Sequence, residues 1–574
     1  MNFNRPTSCD STSEKIVNVG RRLSAVAQCN PDGIAVVEPL RKTAQRRRRY
    51  RQITFRELDE DTSRIAAGLQ RMGVRPGTRL VLLVRPSIDF ISLVFALFKA
   101  GVVTILIDPG IGRQNLVRCL ADAAPEGFIA IPRVHAIRVL LRRRFPRARF
   151  NVTLGRRLFW GGTTVAALRR TDATGFSAAA TQRDDPAAII FTSGSTGPPK
   201  GVLYQQGTFD RQVDEIRDFY DIRPGEIDVP GFPLFALFNS VMGVTTVIPD
   251  MDFARPAQAD PRNILEAVSD WQATQAFGSP ALWNVVGRYC EEHQVRMPSL
   301  RRVLSAGAPV PPHVLRRMKQ AIHAEGEVHT PYGATESLPV ASISASEVLH
   351  ETASQSARGA GTCVGVRFPG IQWRVIQITD GPIPHIEETT ELPRGEIGEL
   401  IVQGPVVTRE YVTRIEANAL HKIRDGDTIW HRLGDVGYLD DRDRFWFCGR
   451  KSHRVITAAG VLFTLPCEAI FNQHPRVYRS ALVGVGQRDR QRPVIVAEPW
   501  PDRKPASGEE ERQLADELLV LAASHTLTRS IEAAFIVPAL PVDIRHNSKI
   551  FREQVALWAA NKTSPSGGFD KNSD

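Results

Sequence analysis

The sequence lacks any stretch long and apolar enough to cross a bilayer, and its most apolar run, residues 91–98, is far too short. Its opening MNFNRPTSCDSTSEK has no apolar core of the kind a signal peptide needs. Cysteine is scarce and scattered: the seven, at 9, 29, 119, 290, 363, 448 and 467, show neither the paired spacing of a zinc site nor a disulfide framework. A reducing cytoplasm is the expected home. No repeat of fixed period is visible, which removes solenoids and propellers. Aromatics do not interleave with the arginine runs 46–49 and 142–144, and no nucleic-acid motif accompanies them. Those runs are read as solvated faces or loop edges, and nucleic acid is not an expected partner. The net charge of +11 can still attract an anionic partner or substrate.

What is present is a chain of 574 residues, 42% hydrophobic and 24% charged, too long for one core and long enough for a large domain plus a smaller one. Thr54 and Glu57 have capping-box spacing, and Leu58, Ile65, Leu69 and Met72 mark the buried face of a helix that Gly73 can end. Strand, apolar helix and strand then follow over residues 80–107, and the alternation continues at 128–131, 152–154, 187–191, 244–248 and 303–306. The fold class expected is α/β with layered, mostly parallel sheets. Shorter strand-like pieces with frequent Gly and Pro point to a β-rich subdomain at about 361–448. The domains expected are a large N-terminal one over 1–450, a smaller mobile α/β one over 451–560 with strands near 481–485 and 494–497, and a disordered polar tail over 561–574.

The chemistry centres on residues 191–202, FTSGSTGPPKGV, where hydroxyls and glycines crowd between an apolar strand and a lysine. Glycines let backbone N–H groups turn toward an anion, and Thr192, Ser193, Ser195 and Thr196 add hydroxyl donors. Gly194, Gly197 and Lys200 complete a phosphate cradle. Such residues also make ordinary surface turns, but their density, the preceding strand and the terminal lysine favour the cradle. Phe209, Val213, Ile216 and Tyr220 recur at helical spacing, so the loop is expected to join a strand directly to a helix. It is not a Walker loop: Pro198 and Pro199 precede the lysine, and Gly201 follows where Ser or Thr would hold magnesium.

FTSGSTGPPKGV resembles the signature loop of the adenylate-forming superfamily of acyl-CoA synthetases, peptide-synthetase adenylation domains and luciferases. The resemblance implies carboxylate activation by ATP as an acyl-AMP, with Mg2+ as cofactor, and it extends in order from about residue 54 to 552. In SAGAP at 305–309, Gly307, Ala308 and Pro309 would line the adenine pocket. In TPYGATES at 330–337, Tyr332 would stack on adenine, Thr335 would contact phosphate, and Glu336 would be the catalytic metal ligand, a hard oxygen donor suited to magnesium. Asp435 in LGD would accept from the ribose hydroxyls, and Arg450 in FCGR would fork onto a phosphate. In PVDIRHNSKIFR, Lys549 matches the catalytic lysine that offsets charge as the adenylate forms, with Ser548 in place of the usual glycine. Phe235, Phe277 and Gly278 are assigned to the acid pocket.

The departures select a branch. Ser452 replaces the hinge Asp or Lys of coenzyme-A ligases, the run 450–460 is one residue longer than the usual spacing, Leu462 replaces a second arginine, and Phe235 replaces a common histidine. With DFYDI at 218–222 and FPLFALF at 232–238, the chain resembles the β-lactone synthetases of bacterial long-chain olefin biosynthesis. That branch implies a 2-alkyl-3-hydroxy fatty acid substrate whose own hydroxyl displaces AMP, and a multienzyme assembly with other olefin-pathway enzymes. His453 and His546 are candidates by location for the base in ring closure. The alternative is a long- or medium-chain acyl-CoA synthetase. A silent nucleotide-binding subunit is disfavoured by Glu336, Asp435, Arg450 and Lys549, and a luciferase-like oxidation needs a special substrate.

Overall fold

Thr54 caps the helix Phe55–Arg71 in the way its spacing predicts: its hydroxyl accepts from the Glu57 N–H at 3.2 Å, and the Glu57 carboxylate accepts from the Thr54 N–H at 2.9 Å. Gly73, at φ +89°, then turns the chain out of the helix. The computed structural model describes residues 16–40, 48–192, 198–542 and 549–563.

The expected β-α-β unit is there as Arg79–Leu83, Ile88–Lys99 and Val103–Leu106, its strands parallel. The helix Ile88–Lys99 is apolar on every side because it is buried on every side, packed against Val19–Cys29 and Phe55–Arg71. Its terminal Lys99, 1% exposed, is held by Asp59 at 2.6 Å and by the Ser63 hydroxyl at 2.9 Å.

These strands belong to a seven-stranded sheet, ordered Thr163–Thr164, Phe150–Thr153, Gly127–Ala130, Arg79–Leu83, Val103–Leu106, Pro186–Phe191 and Gly201–Gln205. All its pairings are parallel except the last. That last strand corrects the sequence reading: the phosphate loop joins a strand to an antiparallel strand, and the helix Gln206–Phe219 starts after it. Val202 and Tyr204 on Gly201–Gln205 are buried and hydrogen-bonded pairing with Pro186–Phe191 satisfies its backbone, so the segment is extended although the helical spacing beyond it is real.

A second sheet of 14 strands has a parallel block running Ile34–Pro39, Thr245–Val247, Ile227–Pro230, Gln275–Gly278, Arg302–Ser305 and Glu327–Ala334. From there the pairing turns antiparallel through Ser337–Ser344 and Thr362–Arg367 into the β-rich strands. Those strands therefore continue the second layer. The largest apolar core lies between the two sheets around Ile88–Lys99 and draws on both.

The smaller α/β domain has its own core around the sheet Val477–Val485, Arg492–Pro499 and Ala533–Ile536, covered by Gly508–Ala523 and Arg552–Thr563. Asn561 and Lys562 correct the expected tail, for they belong to that last helix. Residues 564–574 lie outside the described residues.

Candidate active site

The neck of the phosphate loop is closed by two hydrogen bonds, Thr192 N–H to the Lys200 carbonyl at 3.0 Å and Lys200 N–H to the Thr192 hydroxyl at 3.1 Å. Ser193, Gly194, Ser195, Thr196 and Gly197 lie outside the described residues. The loop leaves the C-terminal end of the strand Pro186–Phe191, inside a parallel block, where α/β folds present their ligand sites.

Thr335 and Glu336 form the turn between Glu327–Ala334 and Ser337–Ser344, with Ala334 paired to Ser337. A strap of chain, residues 407–413, ties this turn to the phosphate-loop hairpin. Thr408 N–H and hydroxyl both donate to the Glu336 carbonyl at 2.9 Å, and Val412 N–H donates to the Gly201 carbonyl at 2.9 Å. Between them Tyr411 donates to Glu336 Oε1 at 2.6 Å, while its ring carries the Lys200 ammonium 4.9 Å from its centre. Tyr204 adds a bond from its hydroxyl to the Thr335 carbonyl at 2.6 Å. Lys200 and Glu336, 136 positions apart, thus share one aromatic partner.

Burial lowers the proton affinity of the Lys200 ammonium, with the Glu336 carboxylate working against it. His421 stands 3.2 Å from that ammonium, and its Nδ1 lies 3.3 Å from the Arg432 carbonyl. Since a carbonyl only accepts, Nδ1 carries the proton and Nε2 offers Lys200 a lone pair. Burial, reinforced by Lys200, takes the imidazole down to about 4. Beneath it Lys422 is fully buried, bonded to the Thr408 carbonyl and pushed by burial down to about 7. Tyr411, His421 and Lys422 were not singled out in the sequence. Tyr411 lies on the strap and His421 and Lys422 shortly beyond it, and nothing in the local pattern of 407–422 marks it as a site.

A second group joins Tyr332, Asp435 and Arg450. Adjacent strands Thr428–Leu439 and Arg444–Arg450 place Asp435 opposite Arg450. Arg450 Nη1 meets Asp435 Oδ1 at 2.8 Å and donates to the Leu433 carbonyl at 2.7 Å. The Tyr332 hydroxyl donates to Asp435 Oδ2. Asp435 raises the guanidinium's proton affinity against the opposing effect of burial, and burial raises that of the Tyr332 phenol. A carboxylate accepts at about four lone-pair positions, so these partners leave room for the two hydroxyls of a ribose. Arg450 also feels Glu336, which puts the two groups in one electrostatic neighbourhood.

Gly307 has φ +100°, a backbone state that a side chain would strain, and opens the Gly307, Ala308, Pro309 turn after Arg302–Ser305. Phe277 and Gly278 lie on the neighbouring strand, paired with Leu304 and Ser305. Phe235 stacks on Phe277 with ring centres 4.1 Å apart and planes at 14°, so an aromatic wall stands one strand away from that turn. A Cβ on Gly278 would come within 2.8 Å of the Trp283 ring, which accounts for glycine there.

Lys549 sits in the smaller domain next to Ile550, which bridges to Val542. Arg552 anchors the motif to that domain by bonds to buried Glu468, one of them 2.9 Å long. His546 and Ser548 lie outside the described residues, and His453 Nε2 stands 3.3 Å from Glu553. Near Ser452, Lys451 lies 2.9 Å from Glu399 and Arg454 lies 2.7 Å from Asp380.

Residues 23–412 match the family described as AMP-binding enzyme. The chain belongs to that family. As an AMP-binding enzyme it is an ATP-dependent adenylate-forming ligase, and it is 45% identical to the olefin beta-lactone synthetases of Stenotrophomonas maltophilia, over 551 residues, and Xanthomonas campestris pv. campestris, over 554 residues. Each alignment covers 95% of this chain and 98% of the relative. ATP-bound MatB from Rhodopseudomonas palustris shares the fold, with a TM-score of 0.73 at 20% identity over 96% of this chain and 100% of that one.

The site chemistry fits a nucleotide carrying magnesium. Among the described residues no group of three or more His, Cys, Asp or Glu could cage a metal ion, whereas magnesium on a phosphate chain takes one or two carboxylates and keeps its waters. Glu336, oriented by Tyr411 through one oxygen, is such a donor.

Proposed function

We propose that this AMP-binding enzyme converts a 2-alkyl-3-hydroxy fatty acid to a β-lactone through an acyl-adenylate. The observation that carries the reading is the 45% identity to olefin beta-lactone synthetases over 95% of this chain.

In the first step a substrate carboxylate oxygen bonds to the α-phosphorus of ATP and pyrophosphate leaves. Lys200, Thr335, Arg450 and the loop donors Thr192, Ser193, Ser195 and Thr196 hold phosphate oxygens, Asp435 holds the ribose, and Tyr332 with residues 307–309 holds adenine. Glu336 holds Mg2+, which supplies charge neutralisation on the phosphates. Phe235, Phe277 and Gly278 take the acid. Lys549 is delivered by the smaller domain, which begins at residue 451 and is mobile about Ser452, and offsets the negative charge that gathers in the transition state.

In the second step the substrate's hydroxyl oxygen bonds to the acyl carbon, its proton is lost, and AMP departs. The nucleophile is already tethered, which removes the need to capture a second substrate. The enzyme works in the cytoplasm, within an assembly of olefin-pathway enzymes that hand on the hydroxy acid and the lactone.

The test is mass analysis of products from purified protein, ATP and Mg2+, with and without coenzyme A. A 3-hydroxy acid should give a product lighter by one water whether or not the thiol is present, and the acid lacking that hydroxyl should stop at acyl-AMP. A thioester as the main product from the 3-hydroxy acid would overturn lactone closure in favour of the acyl-CoA synthetase reading.

A further inference from the structure

The basic excess of this chain sits in one place. Residues 127–171 contain 11 arginines and no Asp, Glu or Lys, and the rest of the chain is balanced, with 62 basic and 62 acidic side chains. Structurally the segment holds three strands of the seven-stranded sheet, Gly127–Ala130, Phe150–Thr153 and Thr163–Thr164, with the helix Pro132–Leu140 and the loop 155–162 after the ends of the first two. Arg169 is satisfied by Asp61 and Asp89, and Arg149 lies 3.5 Å from Glu126. Arg142, Arg143, Arg144, Arg147 and Arg156 are exposed and make no ion pair with any described residue.

Large apolar side chains stand among these charges. On the helix, Arg133, Ile137 and Leu140 follow one another at helical spacing on the exposed face, with Ile137 47% and Leu140 83% exposed. In the loop, Leu158 and Phe159 are 58% and 76% exposed. The loop is fixed to the helix through Trp160, whose ring stacks on His135 at 5.9 Å, contacts Phe159 at 5.3 Å, and whose carbonyl accepts from Arg138 at 3.2 Å. Helix and loop therefore form one surface, rigidly backed, with free guanidinium groups and projecting apolar groups side by side.

We propose that this surface docks the enzyme on an anionic lipid membrane. Guanidinium forks match phosphate headgroups, and Leu140, Leu158 and Phe159 can enter the acyl boundary beneath them, the combination that interfacial binding uses. A nucleic-acid groove would give Ile137 and Leu140 nothing to contact. The loop and helix leave the same end of the parallel sheet as the phosphate loop, so a docked enzyme keeps its site beside the surface where long-chain acids partition. This inference does not depend on the lactone reading, since binding is measured without turnover.

The experiment is co-sedimentation of the full-length protein with vesicles of phosphatidylcholine containing phosphatidylglycerol, and of phosphatidylcholine alone. The protein should pellet with the anionic vesicles and be released by salt. R142Q/R143Q/R144Q should lower partitioning on the order of 100-fold. L140S/F159S, which leaves the charge intact, should lower it by about 10-fold or more. Both variants should release pyrophosphate at the wild-type rate with detergent-dispersed acid, which shows that they are folded. Wild-type partitioning of either variant, equal binding to neutral vesicles, or binding to double-stranded DNA that matches the lipid affinity and ignores L140S/F159S, would overturn the proposal.

Discussion

The phenol of Tyr411 donates to the carboxylate of Glu336 across 2.6 Å, although 75 residues separate them in the chain. Because the same ring underlies the Lys200 ammonium, one side chain sets the positions of both charges. Tyr411→Phe keeps the ring and removes the bond to Glu336. It should raise the Mg2+ concentration needed for half-maximal pyrophosphate release by about 10- to 100-fold, the usual effect of losing a group that orients a metal ligand. Glu336→Ala should lose adenylation at any practical Mg2+ concentration. A magnesium titration of the two variants decides this, and an unshifted curve for Tyr411→Phe would remove the tyrosine from the mechanism.

Asp435 has a structural role beside its proposed nucleotide one, so truncation should affect two measurements. Asp435→Ala leaves Arg450 and Tyr332 without their acceptor and should cost roughly 1–3 kcal/mol in urea unfolding as well as raising the KM for ATP. Asp435→Asn keeps an acceptor oxygen and should lose less stability while still binding ATP poorly. If both variants unfold like wild type, the ion pair contributes nothing to the fold.

Lys549→Ala should slow pyrophosphate release in a single turnover by about 100- to 1000-fold with ATP binding nearly unchanged, the scale for one electrostatic donor needed mainly in the transition state. An unchanged rate would show that the terminal motif acts elsewhere.

Much of this could be read from the residues because it is local. The cap at Thr54, the stop at Gly73, the all-round apolar helix Ile88–Lys99 and the loop flanked by Thr192 and Lys200 each depend on neighbours a few positions away. What escaped is long-range. The strand Gly201–Gln205 owes its extended form to pairing across the loop, against a helical pattern that starts just beyond it. Tyr411, His421 and Lys422 gain their setting from contacts with residues 200, 336 and 408, through a strap with no motif of its own.

Lys422 supplies a prediction about pH. Its ammonium is held at about 7 in the folded chain against an ordinary 10.5, so between those values the unfolded state binds more protons and stability should rise with pH. Below about 7 the full penalty of burying the charge remains. Lys422→Met should flatten that rise and melt higher than wild type at neutral pH, as followed by thermal unfolding across the window. A wild-type slope in the variant would assign the pH dependence to other groups.

Asp435 and Arg450 face each other across two adjacent strands, and the chain passes from Arg450 straight into Lys451 and the hinge. On the first of those strands Arg432 is clamped to Glu399 at 2.6 Å, and Lys451 reaches the same carboxylate at 2.9 Å. The hairpin is therefore a lever with its fulcrum at Glu399: one arm carries the Asp435–Arg450 pair proposed to hold the ribose, and the other runs into the smaller domain. A swing of the smaller domain that starts before Lys451 must pull on the arm that carries Asp435, whereas a swing that starts after Arg454 leaves that arm untouched. In the proposed reaction, which needs no thiol step, that lever can stay locked from the arrival of ATP to the departure of AMP.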